Sequence, residues 1–132
     1  MPHLVVEYSA NLEPHIDLDV LLDRLYHAAI ESGMFPLGGV RIRAYRAEHY
    51  RIADCDPDNA FVHVTAIVGA GRPLDRREQA SRLLFETICD VLEPISTTSP
   101  LAISFNMREF DAVLNFKKNN LHEYVRTRRA MD

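Results

Sequence analysis

The sequence predicts an α+β domain in which two tandem β-α-β units form a four-stranded mixed sheet with two helices on one face. Three observations carry that expectation. The hydrophobic period switches between two and 3.6 residues in an order that repeats along the chain. Each helical pattern is flanked on both sides by strand-like segments. Glycine and proline fall where the period changes, at Gly33 after the first helical pattern and at Gly69-Ala70-Gly71-Arg72-Pro73 before the second.

Taken in order, residues 3–8 read as a buried strand, followed by a loop over Ser9–His15. The apolar set Leu18, Leu21, Leu22, Leu25, Ala28 and Ala29 recurs at helical spacing until Gly33, a residue suited to ending a helix. Gly39–Tyr45 is the strand that closes the first unit. The second unit opens with the strand at residues 61–68 and continues through the glycine-containing turn into a helix over Leu74–Leu92. Its inner face is Ala80, Leu83, Leu84, Ile88 and Val91, and Pro94 helps to end it. Leu101–Met107 is the last strand, and about 126–132 reads as a charged tail. Two helices can cover only one face of such a sheet, and the strands are apolar enough to require cover on the other. Oligomerisation supplies it, since no connection is long enough to fold across.

Length and composition fit one domain over residues 1–132. With 47% hydrophobic residues, the chain can close a core without disulfides or a structural metal. Cys55 and Cys89 are too few and too far apart for a disulfide framework, which points to a reducing cytoplasm. No apolar run is long enough to span a membrane, and the N-terminus lacks the basic-then-apolar pattern of a secretory leader. A formal net charge of -4 argues against general attraction to nucleic acid, so any role for the arginines is local.

Chemistry first suggests itself at Pro2. A small second residue allows Met1 to be clipped, which would free the proline ring nitrogen as a secondary amine. An α-amino group titrates near ~8, and burial or neighbouring positive charge lowers it toward the range of a general base at neutral pH. A retained Met1 would turn that nitrogen into an amide, and the plain alternative is a chain that begins Met-Pro with no catalytic consequence.

In Gly39–Tyr45, strand alternation places Arg41, Arg43 and Tyr45 on one side and Val40, Ile42 and Ala44 on the other. Two arginines on one face can fork carboxylates, or can simply face solvent or pair with Asp and Glu. Arg72 lies in a turn that opens a helix, where backbone amides favour an anion; it could equally be an ordinary turn arginine. Phe116, Phe105 and Phe61 could line a pocket or fill core, and core suits their residue type better.

Other motifs carry less. Asp54-Cys55-Asp56-Pro57-Asp58 has the opening carboxylate spacing of a calcium loop, but Asn59 replaces the turn glycine and Thr65 stands where the bidentate Glu belongs, so a solvated loop is expected. The histidines show no metal-ligand spacing. His63, inside a strand, reads as a hydrogen-bonded core residue rather than a ligand, and Cys89 as helix packing.

Pro2, the segment Phe35-Pro36-Leu37-Gly38-Gly39-Val40-Arg41-Ile42-Arg43, the run Ala60-Phe61-Val62-His63-Val64 leading to Gly69-Ala70-Gly71-Arg72, and Leu114-Asn115-Phe116-Lys117-Lys118-Asn119-Asn120 together resemble the 5-carboxymethyl-2-hydroxymuconate Δ-isomerase family. The resemblance runs to about residue 125. It implies a tautomerase-like fold of β-α-β repeats, a homotrimer, and an amino-terminal proline as acid-base group. It also implies ketonisation of a dienol polycarboxylate in homoprotocatechuate breakdown, without metal or organic cofactor. On this reading Pro2, Arg41 and Arg72 are catalytic, and Arg43 and Phe116 bind substrate. Alternation alone leaves the choice between Arg41 and Arg43 open; the resemblance favours Arg41. Sites near subunit boundaries are expected, with Asn115–Val125 reaching a neighbour. Two other readings are another enol-keto tautomerase of the same superfamily, and a trimeric carboxylate-binding protein without catalysis.

Overall fold

A computed structural model describes residues 1–131. Four strands, β1 (His3–Ser9), β2 (Arg41–Ala47), β3 (Ala60–Val68) and β4 (Leu101–Glu109), form one sheet in the order β2-β1-β3-β4. β1 runs parallel to β2 and β3 parallel to β4, while the two central strands are antiparallel. The crossovers are α1 (Leu18–Glu31) and α2 (Leu74–Ser96), which gives the expected tandem β-α-β architecture.

Alternation decides which residues enter the core. Leu4, Val6 and Tyr8 of β1 and Ala60, Val62, Val64, Ala66 and Val68 of β3 point toward the helices and are buried. They meet Leu21, Leu25, Ala28 and Ala29 from α1 and Ala80, Leu84, Ile88 and Leu92 from α2. Asp17 caps α1, its carboxylate accepting from the amides of Asp19 at 3.1 Å and Val20 at 3.3 Å. Buried Ser9 ends β1, and its hydroxyl accepts from the Phe61 amide at 3.0 Å.

Several local expectations change. A 3₁₀ turn, Ala10–Leu12, occupies part of the first loop and buries Leu12. α2 does not stop before Pro94 but runs to Ser96, with the proline inside its last turn. Proline removes only one N–H there, and the final carbonyls find other donors: the Thr97 amide reaches Glu93 O at 3.1 Å and the Ser99 amide reaches Ile95 O at 2.9 Å. Residues 126–130, expected within a charged tail over about 126–132, belong instead to a third helix, α3 (Leu121–Ala130), which buries no side chain; position 132 lies outside the described residues.

The face of the sheet away from α1 and α2 is more polar than the strands suggest as a whole. His3, Val5 and Glu7 on β1 and Phe61, His63, Thr65 and Ile67 on β3 lie there, because the apolar excess of both strands faces the helices. Register places Arg41 beside His3 and His3 beside Ile67, so charged and apolar groups alternate across this face.

Candidate active site

The Pro36–Gly39 turn builds one wall of the site. Gly39 N donates to Pro36 O at 2.8 Å and Val40 N to the same carbonyl at 3.0 Å, which folds the segment tightly before β2 begins. Arg41 N then donates to Pro2 O at 3.1 Å, fixing the buried proline at the head of the β1–β2 pairing. Gly38 and Gly39 are both buried at this junction.

The opposite wall is the turn from β3 into α2. Gly71 adopts φ 100°, a conformation glycine enters freely, and the turn brings Arg72 back toward Met34, whose carbonyl accepts from the Arg72 guanidinium. The Gly71 amide donates to a Glu109 carboxylate oxygen at 2.9 Å, which ties the turn to the end of β4. Arg77 Nε donates to Arg72 O at 3.0 Å, tying the turn to the first part of α2.

Between these walls is a cavity of about 290 Å³. Met1, Pro2, Pro36 and Gly39 line one side, Gly69 and Arg72 the other, and Lys117, Asn119 and His122 close it from the C-terminal segment. A larger hollow of about 430 Å³ lies between the 3₁₀ turn and the end of α2. Its lining includes Asn11, His15 and Asp58 but neither lysine nor arginine, so the smaller cavity is the one equipped for anionic chemistry.

Electrostatics agree with that choice. The Met1 α-amine is held below its ordinary value, first by burial, then by the charges of Lys117 and Arg41, a hydrogen bond with Lys117 and the charge of Arg72. With Met1 in place, Pro2 nitrogen is a peptide nitrogen and the free amine belongs to Met1.

The structure gathers some of the sequence-predicted residues and separates others. Pro2 and Arg72 share the cavity. Arg41 sits at its edge, its guanidinium donating to Gly38 O at 3.4 Å and Val40 O at 3.3 Å and lying 3.3 Å from Met1 Sδ. Arg43 is turned to the open sheet face: Nη1 donates to His3 Nδ1 at 2.9 Å and Nε to Tyr45 Oη at 3.3 Å. Shared strand alternation therefore did not give the two arginines a shared environment, because the loop carbonyls and Met1 draw Arg41 toward the chain end. Phe116 is 87% exposed, neither filling core nor lining the cavity; the next residue, Lys117, lines it.

Of the remaining motifs, the Asp54–Asp58 loop is solvent-exposed, and its carboxylates accept local amides, as at Asp56 N to Asp54 Oδ1. His63 is hydrogen-bonded, its Nδ1 lying 2.7 Å from Ser104 Oγ, but it is half-buried on the open sheet face rather than in the core, because alternation gives the helix-facing positions to Val62 and Val64. Among the described residues, no group of three His, Cys, Asp or Glu side chains is placed to hold a metal ion. Sequence reading missed the cavity roles of Lys117, Asn119 and His122. The first two stood in a quoted motif, but a segment without periodicity gives no signal of where it docks.

The sequence profile of 5-carboxymethyl-2-hydroxymuconate isomerase matches residues 2–125. The chain belongs to this family. It is an isomerase with the tautomerase fold. It is 39% identical over 122 residues to the 5-carboxymethyl-2-hydroxymuconate Delta-isomerase of Escherichia coli, a match spanning 92% of this chain and 97% of the relative. The crystal structure of a 5-carboxymethyl-2-hydroxymuconate isomerase from Deinococcus radiodurans superposes with TM-score 0.87 at 35% identity, covering 94% of this chain and 93% of that one. More distant isomerase-fold structures include a fused 4-OT symmetric trimer, with TM-score 0.55 at 22% identity over 82% of this chain and 85% of that one. No helix among the described residues is long and apolar enough to cross a membrane.

Proposed function

We propose that this isomerase ketonises 5-carboxymethyl-2-hydroxymuconate in homoprotocatechuate breakdown, with Pro2 as its acid-base group after removal of Met1. The free secondary amine takes the enol proton from oxygen. The electron pair moves through the conjugated double bonds, and the ammonium returns a proton to carbon, leaving a ketone with no net redox change. Proton transfer of this kind requires neither a metal nor an organic cofactor. Arg72 and Arg41 hold carboxylates and stabilise the dienolate, as preorganised positive charge does for a developing anion.

The observation that carries the reading is the meeting of the chain's amino end with Arg72 in one cavity, where burial and neighbouring cations hold the Met1 amine below its ordinary value. The same surroundings would favour the neutral form of the Pro2 nitrogen once Met1 is removed, and those cations also suit a substrate bearing several carboxylates.

The active assembly proposed is a homotrimer in the cytoplasm. The trimeric fold neighbour supports the assembly, and exposed Val113, Leu114 and Phe116 give the C-terminal segment apolar groups for a neighbour to cover. A stable monomer at micromolar concentration in light scattering would contradict it.

The decisive test uses protein whose mass shows that Met1 is absent. Loss of dienol absorbance should follow its addition to 5-carboxymethyl-2-hydroxymuconate. No acceleration over buffer by this processed protein would overturn the proposed activity.

A further inference from the structure

The C-terminal segment supplies one cavity wall although it contributes nothing to the buried core. Residues 110–120 form no helix or strand, and α3 buries no side chain. Yet the segment is fixed at one place. Asn119 Nδ2 donates to Gly38 O at 2.8 Å, and Asn119 Oδ1 accepts from Leu121 N at 2.9 Å as α3 begins. His122 packs so closely on Gly38 that a Cβ there would lie 2.5 Å from His122 Nδ1 and 2.7 Å from His122 Cα. This latch sets Lys117 at the cavity.

Lys117 is also unneutralised. Among the described residues no carboxylate pairs with it, and none pairs with Arg72, whereas Arg24, Arg46, Arg77 and Arg82 all form ion pairs. No acidic side chain lines the cavity. In a chain of formal net charge -4, two unpaired cations in one cavity form a local site for an anion of more than one charge.

We propose that Lys117 is a specificity-determining residue that binds a carboxylate beyond those held by Arg72 and Arg41, so that the site selects a tricarboxylate. This inference rests on the dienol-polycarboxylate reading of the same cavity. A lysine suits the task because its ammonium is a compact point charge on a flexible stem, which can neutralise a carboxylate on a movable side arm. Arg72, held against the Met34 carbonyl, provides the more fixed planar fork.

The experiment is calorimetric binding of unreactive propane-1,2,3-tricarboxylate and of propanoate to processed wild-type, Lys117→Met and Lys117→Arg proteins, alongside dienol turnover. Loss of a charge-assisted contact should weaken tricarboxylate binding by about 10- to 100-fold in Lys117→Met. Propanoate binding should change little, and Lys117→Arg should restore most of the tricarboxylate affinity. Unchanged tricarboxylate affinity in Lys117→Met, or equal loss for both ligands, would overturn the inference. Lys117-dependent binding without dienol turnover would reject the ketonisation reading and leave the selectivity intact. Turnover with tricarboxylate binding indifferent to Lys117 would do the reverse.

Discussion

Gly39 lies against the ring of Pro2: a Cβ at position 39 would approach Pro2 Cδ to 3.2 Å and Pro36 Cγ to 3.5 Å. The site wall is therefore built to the dimensions of a proline without a neighbouring side chain. Gly39→Ala should push the ring aside, with an overpacking cost on the order of 1–3 kcal/mol. The expected signature is a fall in kcat larger than any rise in KM, measured by steady-state kinetics, because the base moves while the carboxylate contacts stay.

Gly38→Ala should act on the other side of the same turn. The added methyl meets His122 backbone as well as its ring, so a rotamer change cannot relieve the clash. Hydrogen exchange should quicken across Leu121–Ala130 while β1 and β3 keep their protection. Unchanged exchange in α3 would mean that Gly38 is not its anchor.

Pro2→Ala should preserve the fold, since the residue precedes β1, but slow ketonisation by roughly the 10²- to 10⁴-fold usual for an acid-base group. Protein shown by mass to retain Met1 should be similarly slow. Equal activity of processed and unprocessed protein would end the proline mechanism.

The acid limb of kcat/KM in the processed protein should report the Pro2 amine, set in the same cavity where burial and the charges of Lys117, Arg41 and Arg72 disfavour the protonated Met1 amine of the unprocessed chain. Only the neutral amine accepts a proton, so activity declines as pH falls through its pKa. Arg41→Met removes a positive neighbour and should shift this limb upward in a pH-rate series; a limb that stays in place would show that Arg41 does not act on the base.

Arg72→Ala should lower kcat/KM by about 10- to 100-fold, the usual loss for a charge-assisted contact. Arg72→Lys should recover only part, since it keeps charge but loses the planar fork. Comparison of a carboxylate-rich dienol with an analogue lacking one carboxylate tests this: equal losses would make Arg72 a turn residue.

His3 gives a stability dependence separate from catalysis. Its pKa is lowered from 6.5 by burial first, then by Arg43, the amino terminus and Arg41. Between the folded and unfolded values the unfolded chain binds more protons, so stability rises with pH across that window. The contribution is whole above the unfolded value and lost as pH falls through the folded one. Denaturation midpoints should drop more steeply below about pH 6.5 in wild type than in His3→Gln.

The fold was legible because its determinants are local and periodic. Leu4, Val6, Val62 and Val64 announce strands by alternation, and Leu21, Leu25, Leu84 and Ile88 announce helices by spacing. The site was legible only in part. Pro2 and Arg72 carry their own cues, a chain end and a glycine-flanked turn, but Lys117 is placed by an amide contact from Asn119 to a carbonyl far away in sequence. Period could not distinguish Arg41 from Arg43 either, since their partners come from a loop and from a neighbouring strand. The run past Pro94 was hidden for another reason: a proline near a helix end costs little once later amides satisfy the carbonyls.

The latch on Gly38 separates the part of the chain that makes the core from the part that closes the cavity. The fully buried core ends at Leu92 and its last partly buried member is Met107, so the sheet and both crossover helices fill the interior without Lys117 or His122. A chain interrupted after β4 would retain its core yet lack one cavity wall. Closing the cavity is thus a matter of docking the C-terminal segment rather than of collapse of the interior.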